Sequence, residues 1–239
     1  MRVMATAEAA AEAAAALFVE AVTAAVAARG CARVCLAGGT PPRALYERLG
    51  GAGGGGVRWD KLRVYFGDER AVPPDDAESN YRMAAEALLR HVPVSPACVY
   101  RIVAERGAEV AAADYEAVLR ATLADGEGRL DVVLLGIGTD GHTASLFPGS
   151  AALGERARWC VATTLPETGE ARITLTLPVL NAARRVVFVA TGAGKAAAVA
   201  AARAEGDVGT CPARGVRPER GTVTWVVDEG AGAGVGRGG

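Results

Sequence analysis

The sequence predicts an α/β fold: a doubly wound, mostly parallel central sheet with helices on both faces, plus a short-strand excursion in the C-terminal half. Two observations predict it. Short, nearly continuous apolar runs such as ARVCLA (32–37), LRVYF (62–66) and LDVVLLGIG (130–138) alternate with longer stretches of helical spacing, the pattern of strands buried on both faces. Several of these runs also break off into glycine followed by charged or hydroxyl residues. In a parallel sheet such ends collect along one edge, where ligands bind.

The elements follow in order. The alanine-rich opening could be mistaken for a targeting segment, but Glu8, Glu12 and Glu20 interrupt any signal-peptide apolar core. It reads as an amphipathic helix with Leu17, Val19, Val22 and Val26 toward the core, and no run is expected to reach the length of a membrane span. ARVCLA then gives way to GGTPP (38–42) and to the helical spacing of RALYERL (43–49). GGAGGGG (50–56) reads as a flexible surface loop. LRVYF ends in Gly67, Asp68, Glu69 and Arg70, a polar loop that runs past Pro73 and Pro74 to a helix over about 79–90. A helix over about 109–123 leads into the third strand and a loop at 140–148. Beyond Ser150 come the shorter strand-like runs RWCVATT (158–164) and RITLTL (172–177). RRVVFVAT (184–191) then runs into Gly192, Ala193, Gly194 and Lys195 at the head of another helix, and TVTWVV (222–227) is the last strand. Residues 1–228 are expected to form a single domain and 229–239 a flexible glycine-rich tail.

Composition narrows the function. With 26 basic against 27 acidic residues and 5% aromatics, the chain has neither the basic stripe nor the stacking surface of a nucleic-acid binder. The five cysteines are scattered and lack paired CxxC spacing, so they read as reduced thiols; no metal or cofactor is expected. A cytoplasmic setting is expected, and a plastid one after removal of a transit peptide is also compatible. The oligomeric state is not legible.

The chain has two histidines, and His142 falls just past the end of a buried-strand pattern, in LLGIGTDGHTASLFP (134–148). Asp140 and His142 taken singly read as a helix cap and a polar loop residue. Together in a glycine-rich loop, they look like a positioned base with an orienting partner, since imidazole titrates near neutrality. Ser145 is not in a GxSxG elbow, so a serine-hydrolase nucleophile is not indicated. Gly38, Gly39 and Thr40 sit between strand and helix, where free N–H groups favour an anion; an ordinary strand-to-helix turn is the competing reading. Lys195 is one of two lysines in an arginine-rich chain and opens a helix, a place for a compact ammonium against phosphate. Asp68, Glu69 and Arg70 read either as a solvated ion-paired loop or as part of the same sheet edge. Arg172 is a further, weaker candidate for an anion ligand.

In order and spacing, LAGGTPP, VYFGDERAVPP with ESNYR, LLGIGTDGHTASLFPGS, RITLTLPVLNAA, VATGAGK and PERGTVTWVVDE resemble the glucosamine-6-phosphate isomerase/6-phosphogluconolactonase superfamily, on its lactonase side. That resemblance implies a doubly wound fold and metal-free hydrolysis of 6-phosphoglucono-δ-lactone, a small sugar-phosphate lactone, to 6-phosphogluconate in the oxidative pentose phosphate pathway. It implies His142 as general base, Asp68 and Asp140 lining the sugar site and orienting the base, and Gly39, Thr40, Arg70, Arg172 and Lys195 around the phosphate or the developing charge. Where the family often has histidine before its DSNY segment, this chain has Asp76. The sister deaminase/isomerase pattern DGHIAFNEP carries a glutamate where this chain has Phe147, which favours hydrolysis. A non-catalytic sugar-phosphate sensor is the alternative of another class; it would want a DNA-binding module, and the N-terminal segment shows no helix-turn-helix pair.

Overall fold

The computed structural model describes residues 1–235. Its strands are β1 (Arg2–Met4), β2 (Ala32–Leu36), β3 (Leu62–Phe66), β4 (Asp68–Arg70), β5 (Val132–Leu135), β6 (Cys160–Thr164), β7 (Ala171–Leu175), β8 (Arg185–Ala190) and β9 (Thr222–Asp228). Its helices are α1 (Ala7–Arg29), α2 (Thr40–Gly50), α3 (Asn80–Ala84), α4 (Ala108–Leu123), α5 (Leu177–Ala182), α6 (Ala196–Arg203) and α7 (Glu229–Gly232). Six strands form a wholly parallel sheet in the order β1-β9-β8-β5-β2-β3. The central strands β2 and β5 are buried along their whole length, as their unbroken apolar runs require. A second, antiparallel sheet, β4-β7-β6, is the short-strand excursion. Chain order along the main sheet reverses at β2, which has β3 on one side and β5 on the other. The crevice at their C-terminal ends is therefore the topological switch point.

Several expectations need correction. Residues 68–70 are not a loop: they form β4, paired with β7 so that Asp68 faces Thr174 and Arg70 faces Arg172. At 23 residues, α1 is long and apolar enough to cross a membrane by length and composition. It nonetheless buries Ala10, Ala14, Phe18, Val22 and Ala25 and packs against α2, β8 and β9. The glycine run after α2 contains a 3₁₀ turn, Ala52–Gly54, with Gly54 buried. The tail does not begin as loose chain at residue 229, because Asp228 accepts from the Ala231 N–H at 2.7 Å and caps α7; residues 236–239 lie outside the described residues. β1 was not expected; its three residues extend the sheet beside β9. The helix expected over 79–90 begins at the Ser79 cap, whose Oγ accepts from Arg82 N at 3.1 Å, and its second half, Ala85–Leu89, widens to a π turn.

Candidate active site

A cavity of about 450 Å³ opens at the switch point, lined by the turns after β2, β5 and β8 and by β4. Tyr46 of α2 fixes the end of β2: its hydroxyl accepts from Ala37 N at 2.8 Å and donates to Ala37 O at 2.9 Å. The backbone then turns through Gly39 at φ 96° into α2. Pro41 and Pro42 have no N–H, so the free donors of this helix start are concentrated in Gly38, Gly39 and Thr40. Among the described residues none of those three N–H groups has a hydrogen-bond partner.

The loop after β5 is braced from within. Gly138 N donates to His142 O at 2.8 Å and Thr143 Oγ1 to Gly136 O at 2.8 Å. Asp140 Oδ1 accepts from His142 N at 3.1 Å and lies 2.7 Å from His142 Nδ1. A carboxylate only accepts, so Nδ1 carries a proton, and in the neutral imidazole the lone pair is then on Nε2. Nε2 has no partner among the described residues, and His142 lines the cavity while Asp140 stands outside its lining. Position 138 must be glycine, because a Cβ there would overlap both the His142 ring and the Asp140 carboxylate. Ala144, also on the cavity, holds φ 48°, a conformation that costs a non-glycine residue energy and gathers at functional sites. Behind the loop, Ala213 N donates to Gly141 O at 3.0 Å and Gly149 N to Gly209 O at 3.0 Å.

Asp68 and Glu69 are adjacent acids with different fates. Asp68 faces the cavity; its Oδ2 accepts from Ser145 Oγ at 2.7 Å and its Oδ1 from Asn80 Nδ2 at 3.2 Å. Glu69 points inward, with Oε1 accepting from Arg70 N and Asn80 N, and Oε2 from Ser79 Oγ and Tyr81 N. It ties β4 to the start of α3. Burial raises its pKa, while the backbone N–H groups of Tyr81, Asn80 and Arg70 oppose that shift. Arg70 lines the cavity and is anchored through Nη1 to Glu78 O at 2.8 Å. Lys195 enters from the 3₁₀ turn after β8, a turn fastened to the end of β9 where the Asp228 carboxylate accepts from Gly192 N; Lys195 has no carboxylate partner among the described residues.

Thus His142, Asp68, Gly38, Gly39, Thr40, Arg70 and Lys195 converge on one cavity. Arg172 does not: it lies in register with Arg70, outside the lining, and pairs with Glu170 at 2.7 Å. Two residues of the site were not anticipated from the sequence. Asn80 is buried on the cavity wall, and a Cβ on Gly38 would occupy the space of its carboxamide; Ser145 serves as a clasp on Asp68.

Comparison with known proteins is consistent with this geometry. Residues 5–225 match the family described as glucosamine-6-phosphate isomerases/6-phosphogluconolactonase. The chain belongs to that family. It is 40% identical over 205 residues to a 6-phosphogluconolactonase of Nostoc sp., covering 84% of this chain and 83% of the relative. A protein of Oryza sativa subsp. indica named probable 6-phosphogluconolactonase 3, chloroplastic, is 37% identical over 213 residues. That match takes in 84% of this chain but spans only 65% of the rice relative's length. Among solved structures, 6-phosphogluconolactonase from Trypanosoma cruzi superposes with a TM-score of 0.86 at 29% identity, covering 98% of this chain and 96% of that one. The family description spans two chemistries, so the residues around His142 must decide between them. Phe147 is buried with its ring 5.0 Å from the His142 ring, at the place where the deaminase pattern has an acid.

Proposed function

We propose that this chain is a 6-phosphogluconolactonase, hydrolysing the internal ester of 6-phosphoglucono-δ-lactone to 6-phosphogluconate with His142 as general base. The observation that carries the reading is the His142–Asp140 pair, with a free Nε2, on a cavity also lined by Lys195, Arg70 and open backbone N–H groups. In this mechanism the phosphate is held by Lys195, Arg70 and the N–H groups of Gly39 and Thr40, which fixes the lactone carbonyl near His142. Nε2 removes a proton from a water molecule as its oxygen bonds to the carbonyl carbon. Asp140 accepts from Nδ1–H throughout and stabilises the imidazolium that forms. Collapse of the tetrahedral intermediate breaks the bond to the ring oxygen, which takes the proton back from His142. Asp68, clasped by Ser145 and Asn80, accepts hydrogen bonds from sugar hydroxyls. Phe147 gives His142 an apolar neighbour with no second acid, which favours hydrolysis over the deaminase/isomerase reaction.

The test is direct. With the δ-lactone generated by enzymatic oxidation of the sugar phosphate, wild-type protein should accelerate hydrolysis well above the spontaneous rate, and His142→Ala should lose about 10²–10⁴-fold in kcat. Absence of acceleration by the wild type would overturn the lactonase reading. Full activity in His142→Ala would overturn only the role of the base. Release of ammonia from glucosamine 6-phosphate would favour the sister reaction.

A further inference from the structure

Most arginines of this chain are spent in ion pairs with carboxylates. Arg156, Arg214, Arg217 and Arg220 are not, among the described residues, and all four line one groove of about 790 Å³. Of the other described arginines, only Arg2, Arg90 and Arg203 also have no ion pair. The groove has an apolar floor of Leu153, Leu177 and Pro178, and its acids are Asp207 and Glu219. Its four guanidinium groups therefore outnumber its carboxylates.

Two of these guanidinium groups, those of Arg156 and Arg217, are anchored without being consumed. Arg156 Nη1 donates to Leu153 O at 2.7 Å and Glu155 O at 2.9 Å, leaving its Nε and Nη2 edge open. Arg217 Nε donates to Arg214 O at 2.9 Å, which leaves both Nη groups open. The Arg220 side chain makes no hydrogen bond within the protein among the described residues. Arg214 is the exception, because its Nε and Nη1 are taken by Ala201 O, Asp207 O and Thr210 Oγ1. A guanidinium held by one edge has already lost much of its rotamer freedom, and its open N–H groups match the two oxygens of a phosphate. The volume is that of a small-molecule site.

We propose that this groove is a second binding site, distinct from the His142 cavity, for a polyphosphorylated small molecule with an apolar body, of the nucleoside polyphosphate class. Arg156, Arg217 and Arg220 take the phosphates, and Leu153, Leu177 and Pro178 take the ring. The inference does not rest on the lactonase reading. The two cavities share no lining residue, although the segment that forms one wall of the groove also touches the His142 loop through Gly209 O and Ala213 N.

Titration calorimetry with ATP as the probe tests it. The wild type should bind ATP with a Kd below about 1 mM. Arg156→Gln and Arg217→Gln should each weaken binding about tenfold, and Lys195→Ala should leave it unchanged. Inorganic tripolyphosphate should bind about tenfold more weakly than ATP, because it leaves the apolar floor uncovered. No ATP binding at millimolar concentration, or wild-type affinity in the Arg156→Gln/Arg217→Gln double variant, would overturn the site. Loss of binding in Lys195→Ala would do the same by placing ATP in the other cavity. Tripolyphosphate binding as tightly as ATP would overturn the organic ligand. If Arg217→Gln lowers the thermal midpoint, Arg220→Gln, which breaks no internal bond, carries the same test.

Discussion

One set of polar groups at the site already has partners: Asp140 holds His142, Thr143 holds Gly136, and Ser145 and Asn80 hold Asp68. A second set, the N–H groups of Gly38, Gly39 and Thr40 and the ammonium of Lys195, has none among the described residues. Internal hydrogen bonds fix atoms within tenths of an ångström, which proton transfer needs. Open donors gain their energy only when an anion arrives, and binding needs that reserve. Damage to the braced set should therefore appear in kcat, and damage to the open set in KM.

Among variants that keep His142, the largest effect should come from Gly138→Ala. The added methyl would overlap the His142 ring and the Asp140 carboxylate together, so the pair cannot keep its geometry. A fall in kcat of about 10³-fold is expected, with the chain still folded by circular dichroism. Near wild-type turnover would mean that the pair is not the working arrangement. Asp140→Asn is gentler, keeping shape but allowing the amide to donate to Nδ1 and turn the imidazole to the wrong tautomer. About 10²-fold in kcat with little change in KM is expected, and steady-state kinetics decide it. In the open set, Lys195→Ala should raise KM about tenfold with a smaller change in kcat. An unchanged KM would remove Lys195 from the phosphate and break the contrast between the two sets.

Sequence reading reached the two sets unequally. Strands such as ARVCL and VVLL were legible because burial on both faces leaves only apolar residues, and the loops at their ends followed from the parallel arrangement. His142, Thr40 and Lys195 were legible as rare or well-placed groups. The bracing was not. Ser145 meets Asp68 across 77 positions and Asn80 meets it across 12, and neither pairing leaves a periodic trace in the chain. Arg172 misled for a related reason: opening a strand near the site did not decide which neighbour it would meet, and it meets Glu170. Asp68 and Glu69 could not be told apart from sequence either, because the pleat that sends one to the cavity and the other to α3 needs β4, and β4 exists only through pairing with β7.

Glu69 gives the smallest and most specific test of that bracing. The residue is 2% exposed, and burial raises its pKa from the ordinary carboxylate value against four hydrogen-bond donors. A raised folded-state pKa means that, just above the ordinary value, the folded chain holds a proton that the unfolded chain has released. Stability linked to this group is therefore complete below the unfolded pKa and declines as pH rises through the folded one. Urea midpoints measured between pH 4 and 7 should fall with rising pH by an increment that Glu69→Gln lacks. Glutamine also removes two acceptor sites from the start of α3, so its midpoint should lie lower at acidic pH and approach the wild type as pH rises. Parallel curves for the two proteins would mean that Glu69 is charged throughout, its four donors having outweighed its burial.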